Sequence, residues 1–129
     1  MSNVVLDASA ILASILEEPG YESLTPDLLQ NALASTVNLA EVHGKLVSLG
    51  WSSEDAWEDA TSHIHQTVAF DETQAKIAGD LSTHTRRLGL SLGDRACLAL
   101  AIALQAPIYT ADKAWKQLKL KKLPIHLIR

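Results

Sequence analysis

The chain carries a single cysteine, Cys97, so no internal disulfide can form. Cys97 lies inside an apolar run, where it reads as a small buried hydrophobe rather than a reactive thiol, and a reducing cytoplasm fits this usage. There is no paired Cys-x-x-Cys, no Gly-rich phosphate loop and no Gly-x-Ser-x-Gly elbow, which leaves redox, nucleotide-binding and serine-hydrolase chemistry weakly supported. His63 and His65 stand two apart on an expected helix, so they do not share a face as zinc ligands would. His43, His84 and His126 have no evident partners in the sequence.

A basic excess is also missing. The net charge of −4 argues against a chain that grips nucleic acid by overall charge. Local contact stays open, because Lys113, Lys116, Lys119, Lys121 and Lys122 cluster near the C-terminus, with Arg86, Arg87 and Arg95 elsewhere. The lysine run reads equally well as a solvated helix face and the loop after it. The apolar stretch from Val4 to Leu16 has no basic leader, carries Asp7 in its middle and is too short to span a bilayer. It predicts a strand running into a helix in a soluble protein with no membrane partner.

What is present is ordinary globular material: 129 residues, 47% hydrophobic and 20% charged, enough for one domain over residues 1–129. No internal repeat, low-complexity tract or linker interrupts it. Strands are expected at Asn3–Asp7, Ala34–Val37, Thr67–Phe70, Ile108–Thr110 and Ile125–Ile128. Helices are expected at Ala8–Leu16, Tyr21–Ala32, Asn38–Leu49 (stopped by Gly50) and Glu54–Gln66. Further helices are expected at Asp71–Leu88 (kinked near Gly79), Leu92–Gln105 and Ala111–Leu118. Strand–helix alternation of this kind predicts an α/β fold, a mainly parallel five-stranded sheet flanked by helices on both faces. Parallel sheets gather functional groups beyond the carboxyl ends of their strands.

Four acids stand at such places. Asp7 ends the first strand in Val4-Val5-Leu6-Asp7-Ala8-Ser9, and Glu41 lies one turn into the helix after the second strand in Asn38-Leu39-Ala40-Glu41-Val42. Asp94 opens the most apolar helix, and Asp112 follows the fourth strand in Thr110-Ala111-Asp112. Each has a plain explanation. Asp at a strand–helix junction is a favoured N-cap worth about 1 kcal/mol, which would suffice for Asp7, Asp94 and Asp112. Glu41 falls opposite Leu39, Val42 and Leu46, with Asn38, Lys45 and Ser48 on what reads as a solvated face.

Taken together the acids mean more. Converging carboxylates repel one another unless a cation neutralises them, and an all-oxygen set suits Mg²⁺ or Mn²⁺. Ala96 to Leu104 is apolar all round, so a charged first turn on that helix calls for a polar cleft. A carboxylate-held divalent ion suits phosphate chemistry by a metal-activated water and needs no Ser or Cys nucleophile. Ser9 and Thr110, close to the acids, could orient a water or a carboxylate, or cap helices.

The ordered set of Val5-Leu6-Asp7-Ala8-Ser9-Ala10, Asn38-Leu39-Ala40-Glu41-Val42, Ser91-Leu92-Gly93-Asp94-Arg95-Ala96-Cys97-Leu98 and Thr110-Ala111-Asp112 resembles the PIN domain, and most of all its VapC-type bacterial toxins. The resemblance runs over essentially the whole chain. It implies a PIN-like α/β/α sandwich and the toxin of a type II toxin–antitoxin pair, an endoribonuclease cutting tRNA or ribosomal RNA. It further implies Mg²⁺ or Mn²⁺ held by Asp7, Glu41, Asp94 and Asp112, with Ser9 and Thr110 as polar auxiliaries. A homodimer, a cognate antitoxin able to place a basic side chain in the acidic site, and operator DNA bound through that antitoxin are implied as well. Two other readings stand beside it. One is a non-catalytic module on the same fold. The other is a haloacid-dehalogenase-like phosphatase with Asp7 as nucleophile, although Ser9 occupies the place of that class's second Asp.

Overall fold

The computed structural model describes residues 2–118 and 123–129. Lys119, Lys121 and Lys122 of the lysine run lie outside the described residues. Five strands, β1 (Val4–Leu6), β2 (Ala32–Ser35), β3 (Gln66–Val68), β4 (Ile108–Thr110) and β5 (Ile125–Leu127), form one sheet. Their order is β3-β2-β1-β4-β5 and every pairing is parallel. The α/β reading holds, with a sheet wholly parallel rather than mainly so.

The pleat of β1 divides its side chains between two cores. Val4 and Leu6 enter one with Ile11 of α1 (Ala8–Leu16), Leu39, Val42 and Leu46 of α3 (Thr36–Ser48), and Ala56 and Ala60 of α4 (Ser53–Ser62). Val5 enters the other with Ile108, Leu98, Leu100 and Ala101 of α7 (Leu92–Leu104), Leu81 and Trp115. The sheet is therefore sandwiched between helical layers. Helix α7 is buried on every side from Ala96 to Ala101, as its apolar sequence predicts, but its last turn emerges and leaves Leu104 exposed.

Local chemistry moved several expected boundaries. β2 begins and ends two residues early because Ser35 turns the chain, its hydroxyl accepting from Val37 N–H to cap α3. The helix expected over Tyr21–Ala32 is a 3₁₀ turn, Tyr21–Ser23, followed by the single-turn α2 (Pro26–Leu29). Pro26 disfavours a helical residue before it, so Thr25 is extended and becomes the cap. The helix expected to reach Gln66 stops at Ser62, because His65 N–H is taken by Ala32 C=O beside the sheet and the chain feeds into β3 at Gln66. The long helix expected over Asp71–Leu88 breaks after Asp80, within two residues of Gly79. It becomes α5 (Glu72–Asp80), α6 (Ser82–Thr85) and a 3₁₀ turn at Arg86–Leu88 that ends on Gly89 at φ 66°. After β4 the expected helix is a 3₁₀ turn, Lys113–Gln117, pinned by the buried Trp115.

Strand order decides where function can sit. From β1 the chain steps outward to β2 and β3, then returns to β4 on the opposite side of β1. Beyond the carboxyl ends of β1 and β4 the connections leave in opposite directions, the crevice in which open parallel sheets take ligands. No helix among the described residues is long and apolar enough to cross a membrane.

Candidate functional site

Asp7 leaves the end of β1 at that crevice and is 4% exposed. Its Oδ1 accepts from Ala10 N–H at 2.9 Å, so it is the N-cap of α1, and from Ser9 Oγ at 2.7 Å. Its Oδ2 accepts from Thr110 Oγ1, which ends β4 across the crevice. Burial lifts the Asp7 carboxyl from the ordinary 3.8 to about 6. The Thr110, Ala10 and Ser9 hydrogen bonds oppose that rise, and the charge of Asp94 adds to it. Thr110 Oγ1 also accepts from Asp112 N–H at 3.0 Å, and Ser9 Oγ accepts from Ala111 N–H at 2.9 Å. Two hydroxyls thus lace the β1 and β4 ends into one rigid nest around Asp7.

The other acids come from the helices. Asp94 is not an N-cap. Ser91 caps α7, and Asp94 is the third helical residue, its Oδ2 accepting from Ser91 N–H at 2.9 Å while Ser91 Oγ accepts from Asp94 N–H at 3.2 Å. Glu41 is exposed on α3, yet its carboxylate rests on Gly93, one residue before Asp94. A β-carbon at position 93 would occupy the space of that carboxylate, so glycine leaves Glu41 room to rest there. The first turn of α7 favours negative charge, which suits both Glu41 and Asp94.

The convergence is registered by a neutral neighbour. Cys97, fully buried one turn behind Asp94, has its thiol pushed well above the usual range by burial first, then by the charges of Asp7, Asp94 and Glu41. Charges from three separated segments of the chain thus act on this one buried thiol. Asp112 is not among them. It caps the Lys113–Gln117 turn through Ala114 N–H and reaches Asp7 only through Thr110.

Each acid is turned toward a protein donor, and among the described residues no three Asp, Glu, His or Cys side chains close around a single point as ligands of one ion. None of the four acids forms an ion pair with a described cation, for the Lys76–Asp80 bridge on α5 is the only one among the described residues. Arg95 is partly committed elsewhere, its Nη1 donating to Ala78 C=O at 2.9 Å, whereas Arg86, Arg87, Lys113 and Lys116 are exposed.

Sequence reasoning misplaced one residue of this site. Asn38 is not on a solvated face: it is 1% exposed, and its Nδ2 donates to Glu41 Oε1 at 2.9 Å and to Gly93 C=O at 3.0 Å. The i, i+3 spacing from Glu41 carries that signal, since such residues are neighbours on a helix surface. Ser91-x-x-Asp94 likewise reads as a capping box.

A family model described as "PIN domain" matches residues 4–121. Comparison with curated proteins finds no match. Among solved structures, the fold is similar to a chain of DNA-bound VapBC from Salmonella typhimurium at TM-score 0.76 and 13% identity, covering 100% of both chains. It is also similar to a chain of VapBC2 from Rickettsia felis bound to a promoter DNA fragment, at TM-score 0.70 and 21% identity, covering 95% of this chain and 96% of that one. A chain of VapBC-5 from Mycobacterium tuberculosis, a member of the VapBC family of toxin–antitoxin systems, aligns at TM-score 0.63 and 21% identity over 98% and 99% of the two chains. At these identities the likeness is one of fold. The family model, matching nearly the whole chain, assigns the protein to the PIN domain family.

Proposed function

We propose that the chain is a metal-dependent endoribonuclease acting as the toxin of a type II toxin–antitoxin pair. The observation that carries this reading is the seating of Asp7 between the ends of β1 and β4 at the switch point of a parallel sheet, with Glu41 resting on Gly93 next to Asp94. The donor chemistry fits a hard divalent ion: the set is all oxygen, Asp7 is buried with a like charge acting on it, and no described cation balances the group. Asp7, Glu41 and Asp94 would hold Mg²⁺ or Mn²⁺, with Asp112 acting from the side through water or a second ion. When bound, such an ion polarises a phosphoryl oxygen and lowers the pKa of a coordinated water.

The chain's own residues do the positioning. Thr110 and Ser9 donate to Asp7, stabilise its anion and fix both carboxylate oxygens. Arg86 and Arg87, in the turn that leads into Ser91, and Lys113 and Lys116, just past Asp112, are exposed cations that flank the acids along the chain and suit the phosphates of RNA. Exposed Leu92, two residues from Asp94, and exposed Val47, Leu49 and Trp57 around α3 and α4 offer apolar contact area for protein partners. A homodimer and a cognate antitoxin whose basic side chain enters the acidic site are the partners proposed, with operator DNA bound through the antitoxin. The similar structures of VapBC complexes, two of them holding DNA, support that assignment. A cytoplasmic location goes with it.

The test is cleavage of tRNA and ribosomal RNA by the purified chain with Mn²⁺, with EDTA, and with Asp94→Asn. Cleavage that needs the metal and is lost in the variant is the expected result. Full cleavage by folded Asp94→Asn protein would overturn the mechanism. Calorimetry showing no Mn²⁺ binding above background would instead favour the non-catalytic module, for which the turning of each carboxylate onto a protein donor is the favouring observation.

A further inference from the structure

We propose that Asn38 is a positioning residue of the acidic site, orienting Glu41 over the first turn of α7 without neutralising it; this rests on the metal-dependent reading above. One nitrogen, Nδ2, donates both to the Glu41 carboxylate at 2.9 Å and to the Gly93 carbonyl at 3.0 Å. Those two acceptors belong to different helices, so the amide fixes Glu41 relative to the segment that carries Asp94.

The rest of the side chain argues against a simple staple between helices. Asn38 is 1% exposed and its Oδ1 is buried with no partner. A buried acceptor left without a partner is destabilising, and side chains kept for packing alone are free to be apolar. The amide orientation follows from its surroundings, because turning it over would set Oδ1 against a carboxylate and a carbonyl. What this position requires is a donor with two N–H groups and no charge. Aspartate would add repulsion to Glu41. Lysine or arginine would donate, but would cancel the charge a cation must find. Serine has one proton and cannot serve both acceptors. Gly93 completes the arrangement from below, leaving the Glu41 carboxylate the room that a β-carbon would take.

A double-mutant cycle on Mn²⁺ affinity separates positioning from packing. Calorimetry would compare the wild type with Asn38→Ala, Glu41→Gln and the double variant, each shown to be folded by circular dichroism. Asn38→Ala is expected to weaken Mn²⁺ binding by about tenfold beside Glu41, and by less than about twofold beside Glu41→Gln, since nothing is then left to orient. Equal losses in both backgrounds would overturn the inference, as would unchanged affinity in Asn38→Ala. If Asn38→Ala does not fold, Asn38→Ser, which keeps a polar side chain but cannot serve both acceptors, enters the cycle in its place, with the same outcomes deciding. A wild-type chain that binds no Mn²⁺ overturns the parent reading, and this inference with it, in an outcome distinct from the others.

Discussion

The two halves of the acidic site are built on opposite principles. The sheet half, Asp7 with Ser9 and Thr110, is buried, multiply hydrogen-bonded and made from the ends of two adjacent strands. The helix half, Glu41 and Asp94, lies where α3 crosses the start of α7, more open to solvent, and one amide holds Glu41 there. Rigidity in the first half comes at the expense of stability, because a carboxylate is held where its charge is poorly solvated. The second half keeps its charges wetter, each carboxylate accepting one hydrogen bond where Asp7 accepts three.

The largest effect expected from disturbing this contrast is at Asp7. Asp7→Asn should remove RNA cleavage altogether while making the metal-free fold more stable at neutral pH. The folded carboxyl titrates at about 6 rather than 3.8, so its favourable contribution is complete below pH 3.8 and is lost as pH rises through 6. That shift is worth about 3 kcal/mol. In urea unfolding of the metal-free proteins, the advantage of Asp7→Asn over wild type should grow by about that much between pH 3.5 and 7.5. A constant gap would mean that Asp7 titrates like a free carboxyl.

Thr110→Val comes next. It strips Asp7 Oδ2 and Asp112 N–H of their partner at once and should cost about 1–3 kcal/mol of stability. It should also move the acid limb of the pH–activity profile upward, because a donor that stabilises the Asp7 anion is gone. An unmoved limb would separate Thr110 from the chemistry. The helix half should respond differently. Gly93→Ala is expected to leave the melting temperature within a few degrees, since the end of an exposed Glu41 side chain can swing aside, yet to lower cleavage by about tenfold. Equal losses of stability and activity would make the two halves alike after all. The smallest effect is expected at Asp112, whose carboxylate caps a 3₁₀ turn. Asp112→Ala should destabilise by about 1 kcal/mol and reduce cleavage less than Asp7→Asn or Asp94→Asn does. Cleavage abolished by Asp112→Ala would place it at the centre instead.

Much of this was legible before any coordinates. The apolar run of α7, its charged first turn, and the acids after β1 and β4 stand at positions any parallel α/β sheet would use. The dull explanation was true as well, since Asp7 and Asp112 do cap helical turns; capping and site chemistry share one carboxylate. What failed was local or three-dimensional. Pro26 shortened one helix and Ser35 ended a strand through backbone preferences that apolar periodicity does not weigh. Asn38 was misread because a helical wheel knows only its own helix: Glu41, Lys45 and Ser48 of the face it called wet are exposed, but the end of that face at Asn38 lies under Gly93 of another helix.

The sequence by itself determined most of the elements, the parallel sheet and where the acids stand along the chain, because hydrophobic period and strand-end position are properties of a short stretch of chain. Only the tertiary structure decided which acids meet. The order β3-β2-β1-β4-β5 sets Thr110 against Asp7, and the crossing of α3 over α7 seats Glu41 on a glycine. Those meetings join residues 103 apart in the first case and, for Asn38 and Gly93, 55 apart in the second. Contacts at that separation are chosen by how the two cores close on the sheet, not by any signal in the neighbouring residues.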